Sequence, residues 1–106
     1  MRVLFDQGTP APVRHALVGH SVQTAFELGW GTLQNGELIA AAEAEGFEVF
    51  VTTDKNLKYQ RNLAGRRSAV VVLSTTSWPR IRAVAEKVLE AVESAHPGGF
   101  IEVSVE

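Results

Sequence analysis

AVVVL, residues 69–73, is an unbroken apolar run with no polar side to turn toward water. A strand of that kind belongs where both faces of a sheet are covered, which is the habit of parallel sheets in α/β proteins. Working outward, VFVT at 49–52 and RVLF at 2–5 read as two further strands, and HSVQTA at 20–25 as a weaker one. Residues 100–105, FIEVSV, alternate apolar 101, 103 and 105 with polar 102 and 104, the pattern of a half-exposed edge strand.

Helical signals separate these strands. Thr9 as N-cap with Pro10 at the first helical position opens one, with Val13, Ala16 and Leu17 on a single face. Asn35 caps a second, from about residue 36 to 45, with Leu38, Ile39 and Ala42 inward and Gly46 as the stop. A short helix is expected over 57–63. Pro79 opens the clearest one, where Ile81, Val84, Ala85, Val88, Leu89 and Val92 recur at helical spacing. Strands alternating with helices imply an α/β fold: one domain over 1–106, a three-layer, open, mainly parallel sheet with helices on both faces, right-handed crossovers and a C-terminal edge strand.

The chain has 106 residues, 45% hydrophobic and 21% charged, with net charge −2. Such a chain buries roughly 65% of the surface exposed on unfolding, enough for a core without staples. Cysteine is absent, which excludes disulfides, thiolate zinc sites and thiol nucleophiles. No apolar run approaches the length of a signal-peptide core or a membrane span, so a soluble, cytoplasmic protein with no membrane partner is expected. Charge is segregated: residues 55–85 hold no acid but carry Lys55, Lys58, Arg61, Arg66, Arg67, Arg80 and Arg82. A basic rim beside an acidic centre follows if the fold brings them together; solvated surface cations explain the same pattern.

In open parallel sheets ligands bind beyond the carboxyl ends of the strands. Two strands here end in aspartate, VLFD at Asp6 and VFVTTD at Asp54. If these strands are neighbours, the two carboxylates converge. At an effective dielectric of about 20 a pair at about 4 Å repels by roughly 4 kcal/mol, which a hard divalent ion relieves. Glu37, in the first turn of the second helix, is the third candidate. Each also has a purely structural explanation: Asp6 bonding the Gln7-Gly8 turn, Asp54 capping the next helix, Glu37 favoured by the helix dipole.

Taken together, Asp6 at the end of the first strand, Gly29-Trp30 followed by Asn35-Gly36-Glu37-Leu38, Val51-Thr52-Thr53-Asp54-Lys55-Asn56, and the AVVVL strand resemble the PIN-like proteins of the DUF5615 type. These are small bacterial relatives of PIN-domain nucleases and toxin–antitoxin toxins. The resemblance covers about residues 1–75. It implies a metal-dependent ribonuclease fold with acids clustered around magnesium or manganese, and assigns both metal binding and catalysis to Asp6, Glu37 and Asp54. Relatives commonly show Asp-Glu-Asn where this chain has Asp6-Gln7-Gly8, and often a second acid where it has Asn56. Three acids rather than four imply one metal ion rather than two.

Thr52 and Thr53 are candidates to orient Asp54 or contact phosphate, although threonine in a strand needs no function; Asn56 would offer an oxygen or orient a water. Lys55, Lys58 and Arg61 share a helix face and would attract an RNA backbone. Trp30 either stacks a base or packs under its loop. The leading expectation is a divalent-metal-dependent RNA endonuclease, the toxin of a toxin–antitoxin pair. The edge strand and the Trp30 loop would be contact surfaces for an antitoxin or for a second copy in a homodimer. A non-catalytic RNA- or protein-binding module of the same fold is the alternative. A phosphoacceptor receiver domain is a third, with Ser74, Thr75 and Thr76 as its hydroxyls; no lysine in the last strand supports it.

Overall fold

The computed structural model describes residues 1–54 and 67–105, and Asn35 by its backbone alone. The helix expected over 57–63 lies outside the described residues, as do Lys55, Asn56, Lys58 and Arg61.

Five strands form one sheet: β1 (Arg2–Phe5), β2 (Ser21–Thr24), β3 (Val49–Thr52), β4 (Ala69–Leu73) and β5 (Phe100–Val103). Their order is β2-β1-β3-β4-β5, and every pair is parallel. The helices are α1 (Asn35–Ala44), α2 (Trp78–Ala83) and α3 (Ala85–Ser94), with a 3-10 helix over Ala11–Ala16.

Side chains alternate across a strand, so the three central strands fill two cores at once. Val3, Phe5, Val49, Val51, Val71 and Leu73 pack on one face with Val13 and Leu17 of the 3-10 segment, Ile81 of α2, and Val88 and Val92 of α3. Leu4, Phe50, Val70 and Val72 pack on the other with Leu38, Ile39 and Ala42 of α1. All five residues of AVVVL are buried, as an apolar run on a two-sided sheet requires. No helix among the described residues is long and apolar enough to cross a membrane.

Three local features differ from the sequence expectation. The segment after Pro10 is a 3-10 helix with Pro10, not Thr9, as its N-cap. The bonds that close it run i→i−3, from the Val13 N–H to the Pro10 carbonyl at 3.0 Å and from the Leu17 N–H to the Arg14 carbonyl at 3.1 Å, and Thr9 is engaged elsewhere. Helix α1 starts one residue early, with Gln34 as N-cap, because the Glu37 side chain accepts a hydrogen bond from the Gln34 N–H at 3.1 Å and completes a capping box. The long C-terminal helix is divided at Val84, whose φ and ψ are −120° and 30°. Its N–H closes the last turn of α2 on the Ile81 carbonyl at 2.9 Å, an i→i−3 bond tighter than an α-turn. Periodicity still holds across the break because Ile81, Val88 and Val92 face the same core.

β5 takes the predicted place at an edge. Its ladder stops at Val103, and the Ser74 hydroxyl then accepts the Val105 N–H at 2.7 Å and donates to the Val105 carbonyl at 3.1 Å. That pair carries the extended chain beyond the strand.

Candidate functional site

β1 lies beside β3 with Phe5 opposite Val51, so Asp6 and Asp54 emerge at the same carboxyl edge of the sheet. Chain order reverses between these two strands: β2 lies on the far side of β1, and β4 on the far side of β3. In open α/β sheets such a switch point is where a crevice forms.

Asp6 is 5% exposed, and its N–H continues the ladder to the Val51 carbonyl at 3.0 Å. Its carboxylate is held by three donors. Oδ1 accepts the Thr9 N–H at 2.9 Å and the Thr9 hydroxyl at 2.6 Å, and Oδ2 accepts the Thr52 hydroxyl at 2.5 Å. The Thr9 Oγ1 also lies 3.2 Å from the Val51 carbonyl, a second acceptor for the same proton. Thr52 is fully buried, and its Oγ1 accepts the Asp54 N–H at 3.0 Å. One hydroxyl therefore ties the Asp6 carboxylate to the backbone of Asp54, whose residue is half-buried.

An ionised carboxylate has about four lone-pair sites. Three are taken at Asp6, two on Oδ1 and one on Oδ2, so Oδ2 retains one. Magnesium is commonly bound through one or two carboxylates, with waters and substrate phosphate completing its shell. Asp6 and the backbone of Asp54 stand at the same sheet edge. Glu37 stands apart from it, exposed on the first turn of α1 and engaged with Gln34. Among the described residues no three His, Asp or Glu side chains stand close enough together to hold one metal ion.

The loops beside Asp6 are tightly fixed. A Cβ on Gly8 would meet the Thr53 Oγ1 at 2.7 Å, so only glycine allows this turn to approach β3 without a shift. Gln7 donates from Nε2 to the carbonyls of Trp30 and Leu33 at 3.1 and 3.0 Å, strapping the β2–α1 loop to the site. A carboxylate could make neither bond. Gln7→Glu should therefore lower stability by about 1 kcal/mol at neutral pH, measured by urea unfolding, because it sets an acid against two carbonyl oxygens. Trp30 is half-buried and meets Phe47 edge to face, with ring centroids 6.4 Å apart and planes at 76°. It packs under its loop against the α1-side core.

A cleft of about 270 Å3 opens here, lined by Asp6, Gly8, Thr9, Thr24 and Phe26. A second, of about 340 Å3, shares Ala11 and Thr24 with it and continues to Arg14, His15 and Glu27. Between them the turn after β2 is locked reciprocally. Glu27 Oε1 accepts the Thr24 N–H at 2.8 Å, and the Glu27 N–H donates to the Thr24 hydroxyl at 3.1 Å. Arg14 Nη2 pairs with the same Oε1 at 2.7 Å.

The hydrogen bond from Arg14, and next that from Thr24, hold the Glu27 carboxyl below its ordinary range. A depressed carboxyl stabilises the fold above its unfolded value and loses that effect as pH falls through the folded one. Wild-type stability should thus fall more steeply than that of Glu27→Gln as pH drops below about 4.5. Thermal unfolding from pH 6 to pH 3 measures the difference.

Thr9 and Phe26 had no functional reading in the sequence. The signal for Thr9 was a hydroxyl three residues after a strand-ending aspartate, the spacing of a side-chain turn. Phe26 shows only as an aromatic outside any strand or helix period. No protein-family model, curated protein or solved structure matches this chain.

Proposed function

We propose that this is a PIN-like, divalent-metal-dependent RNA endonuclease whose working edge is the carboxyl end of β1 and β3. The supporting observation is the Thr52 hydroxyl joining Asp6 Oδ2 to the Asp54 N–H across two adjacent parallel strands. A link of that kind ties the Asp6 carboxylate to the backbone at Asp54, at the switch point of the sheet. The two cores, one on each face, are in keeping with a three-layer PIN-like architecture.

In this reading Asp6 and Asp54 hold one magnesium or manganese ion. Such an ion, when bound, lowers the pKa of a water and offsets charge on a phosphodiester. The chain's own part is positional. Thr9 and Thr52 hold the Asp6 carboxylate in one rotamer with a single lone pair of Oδ2 to spare, and Gly8 lets the turn sit close against Thr53. Glu37 caps α1 and would reach an ion only by releasing Gln34. Lys55, Lys58 and Arg61 are assigned from the sequence to attract the RNA backbone, and Asn56 adds no charge to that segment. A role as the toxin of a toxin–antitoxin pair, with a protein antitoxin as partner, belongs to the same proposal. Cleavage of RNA should require manganese and vanish with chelator; equal activity in both would refute the reading.

A second reading, a non-catalytic RNA- or protein-binding module, is favoured by the burial of Asp6 and by its three hydrogen bonds, which suffice for a structural carboxylate. The receiver reading gains no support from β4: the Ser74 hydroxyl is committed to Val105, and the Thr75 hydroxyl accepts the Ser77 N–H at 3.1 Å.

A further inference from the structure

We propose that Phe26 is a stacking platform for one base of a single-stranded RNA, with Arg14 and His15 facing the adjoining phosphate; this rests on the ribonuclease reading of the Asp6 edge. Phe26 is 80% exposed, and Val18 is the other large apolar side chain so exposed among the described residues. Its position follows from the local chain. Thr24 and Ala25 are buried, the Thr24–Glu27 bonds lock the turn, and Phe26 inside that turn lines the cleft that Asp6 also lines. Gly31 lies under one edge of the ring, where an added Cβ would sit 3.6 Å from Cδ2. Glycine at 31 leaves that edge of the ring uncrowded, and most of the side chain is exposed.

An exposed aromatic face suits a base, because every base offers a π-face and the contact tolerates any sequence. A protein partner fits less well. A stable protein interface buries about 800 Å2 on each side around an apolar centre. Phe26 instead has only the small apolar surfaces of Pro10 and Ala11 beside it in its cleft, where Asp6, Gln7, Thr9 and Thr24 make up most of the rest. The neighbouring cleft, which shares Ala11 and Thr24 with the first, is lined by an arginine and an exposed histidine, on which a strand lying over Phe26 would place its next phosphate. Arg14 is held there by Glu27.

The test is fluorescence anisotropy with a labelled eight-nucleotide RNA in EDTA, where cleavage is silent and binding alone is read. Phe26→Ala should bind about 10-fold more weakly than wild type, with an unchanged urea transition. Phe26→Trp should bind at least as tightly, with its indole emission quenched by RNA. A fully abasic RNA of the same length should bind wild type about as weakly as intact RNA binds Phe26→Ala. Arg14→Gln should lessen the salt dependence while leaving the Phe26→Ala effect in place. Equal affinities for wild type and Phe26→Ala would overturn the proposal. So would absence of RNA binding by wild type, or a Phe26→Ala effect confined to self-association in sedimentation, which would make the ring a protein contact. The two proposals fail separately. RNA bound through Phe26 but uncut in manganese defeats the nuclease reading, whereas cleavage with an unchanged KM in Phe26→Ala defeats the stacking one.

Discussion

Asp6→Ala is expected to lower the free energy of unfolding by about 3 kcal/mol. The substitution removes the acceptor of three buried donors, the Thr9 N–H, the Thr9 hydroxyl and the Thr52 hydroxyl. An unsatisfied buried polar group costs about 1–3 kcal/mol, and bonds to a charged acceptor are stronger than neutral ones. Two escapes hold the total down: Thr9 Oγ1 can turn to the Val51 carbonyl at 3.2 Å, and the Thr9 N–H to the Asp6 carbonyl at 3.3 Å. Among the described residues the Thr52 hydroxyl donates to Asp6 alone. Asp6→Asn keeps one oxygen for Thr9 and should cost only about 1 kcal/mol. Urea unfolding of the two variants reads the difference, and comparable losses would show that the carboxylate's hydrogen bonds contribute little.

The larger functional effect is expected at the same residue. RNA cleavage by Asp6→Asn or Asp54→Asn, measured with manganese present, should fall by about 100-fold or more. A metal's outer-sphere partners alone are worth about 10–100-fold, and these carboxylates are assigned as direct ligands. Because Asp6→Asn leaves the protein folded, its loss would report chemistry. Glu37→Gln provides the contrast. Its amide oxygen can still accept the Gln34 N–H, so the capping box survives. A loss of only a few-fold would separate a helix cap from the two strand-end acids.

Much of this was legible before any coordinates. The unbroken apolar runs at 49–52 and 69–73 specify a sheet covered on both sides, and each of those strands appears with every residue buried. That Asp6 follows directly on its strand was also plain, whereas Asp54 stands two residues beyond the end of β3 at Thr52; that the strands are neighbours rested on a crossover no local pattern encodes. The three local features escaped for definite reasons. Asn35 and Gln34 both offer polar caps one residue apart, and what decides between them is the reach of Glu37 back to Gln34. Thr9 has two uses, helix cap or partner of Asp6, and a buried carboxylate outbids an exposed 3-10 turn. The division at Val84 leaves the apolar period intact, so periodicity could not register it.

The site shows the same limit at finer scale. Spacing along the chain gave Thr52 a place next to Asp54, but its hydroxyl points to the neighbouring strand and makes its strongest bond with Asp6. Cross-strand bonds of this kind depend on register, here Phe5 opposite Val51. Gln7 likewise looked like a lost acid, whereas its amide serves two carbonyls of a loop 23 and 26 residues further on.

The central claim is that Asp6 and Asp54 jointly hold a divalent cation. It is tested most directly by titrating manganese into the wild-type protein, Asp6→Asn and Asp54→Asn by calorimetry. Wild type should bind one ion at sub-millimolar affinity, and both variants should lose it. No binding by wild type at millimolar manganese, or equal binding by all three proteins, would contradict it.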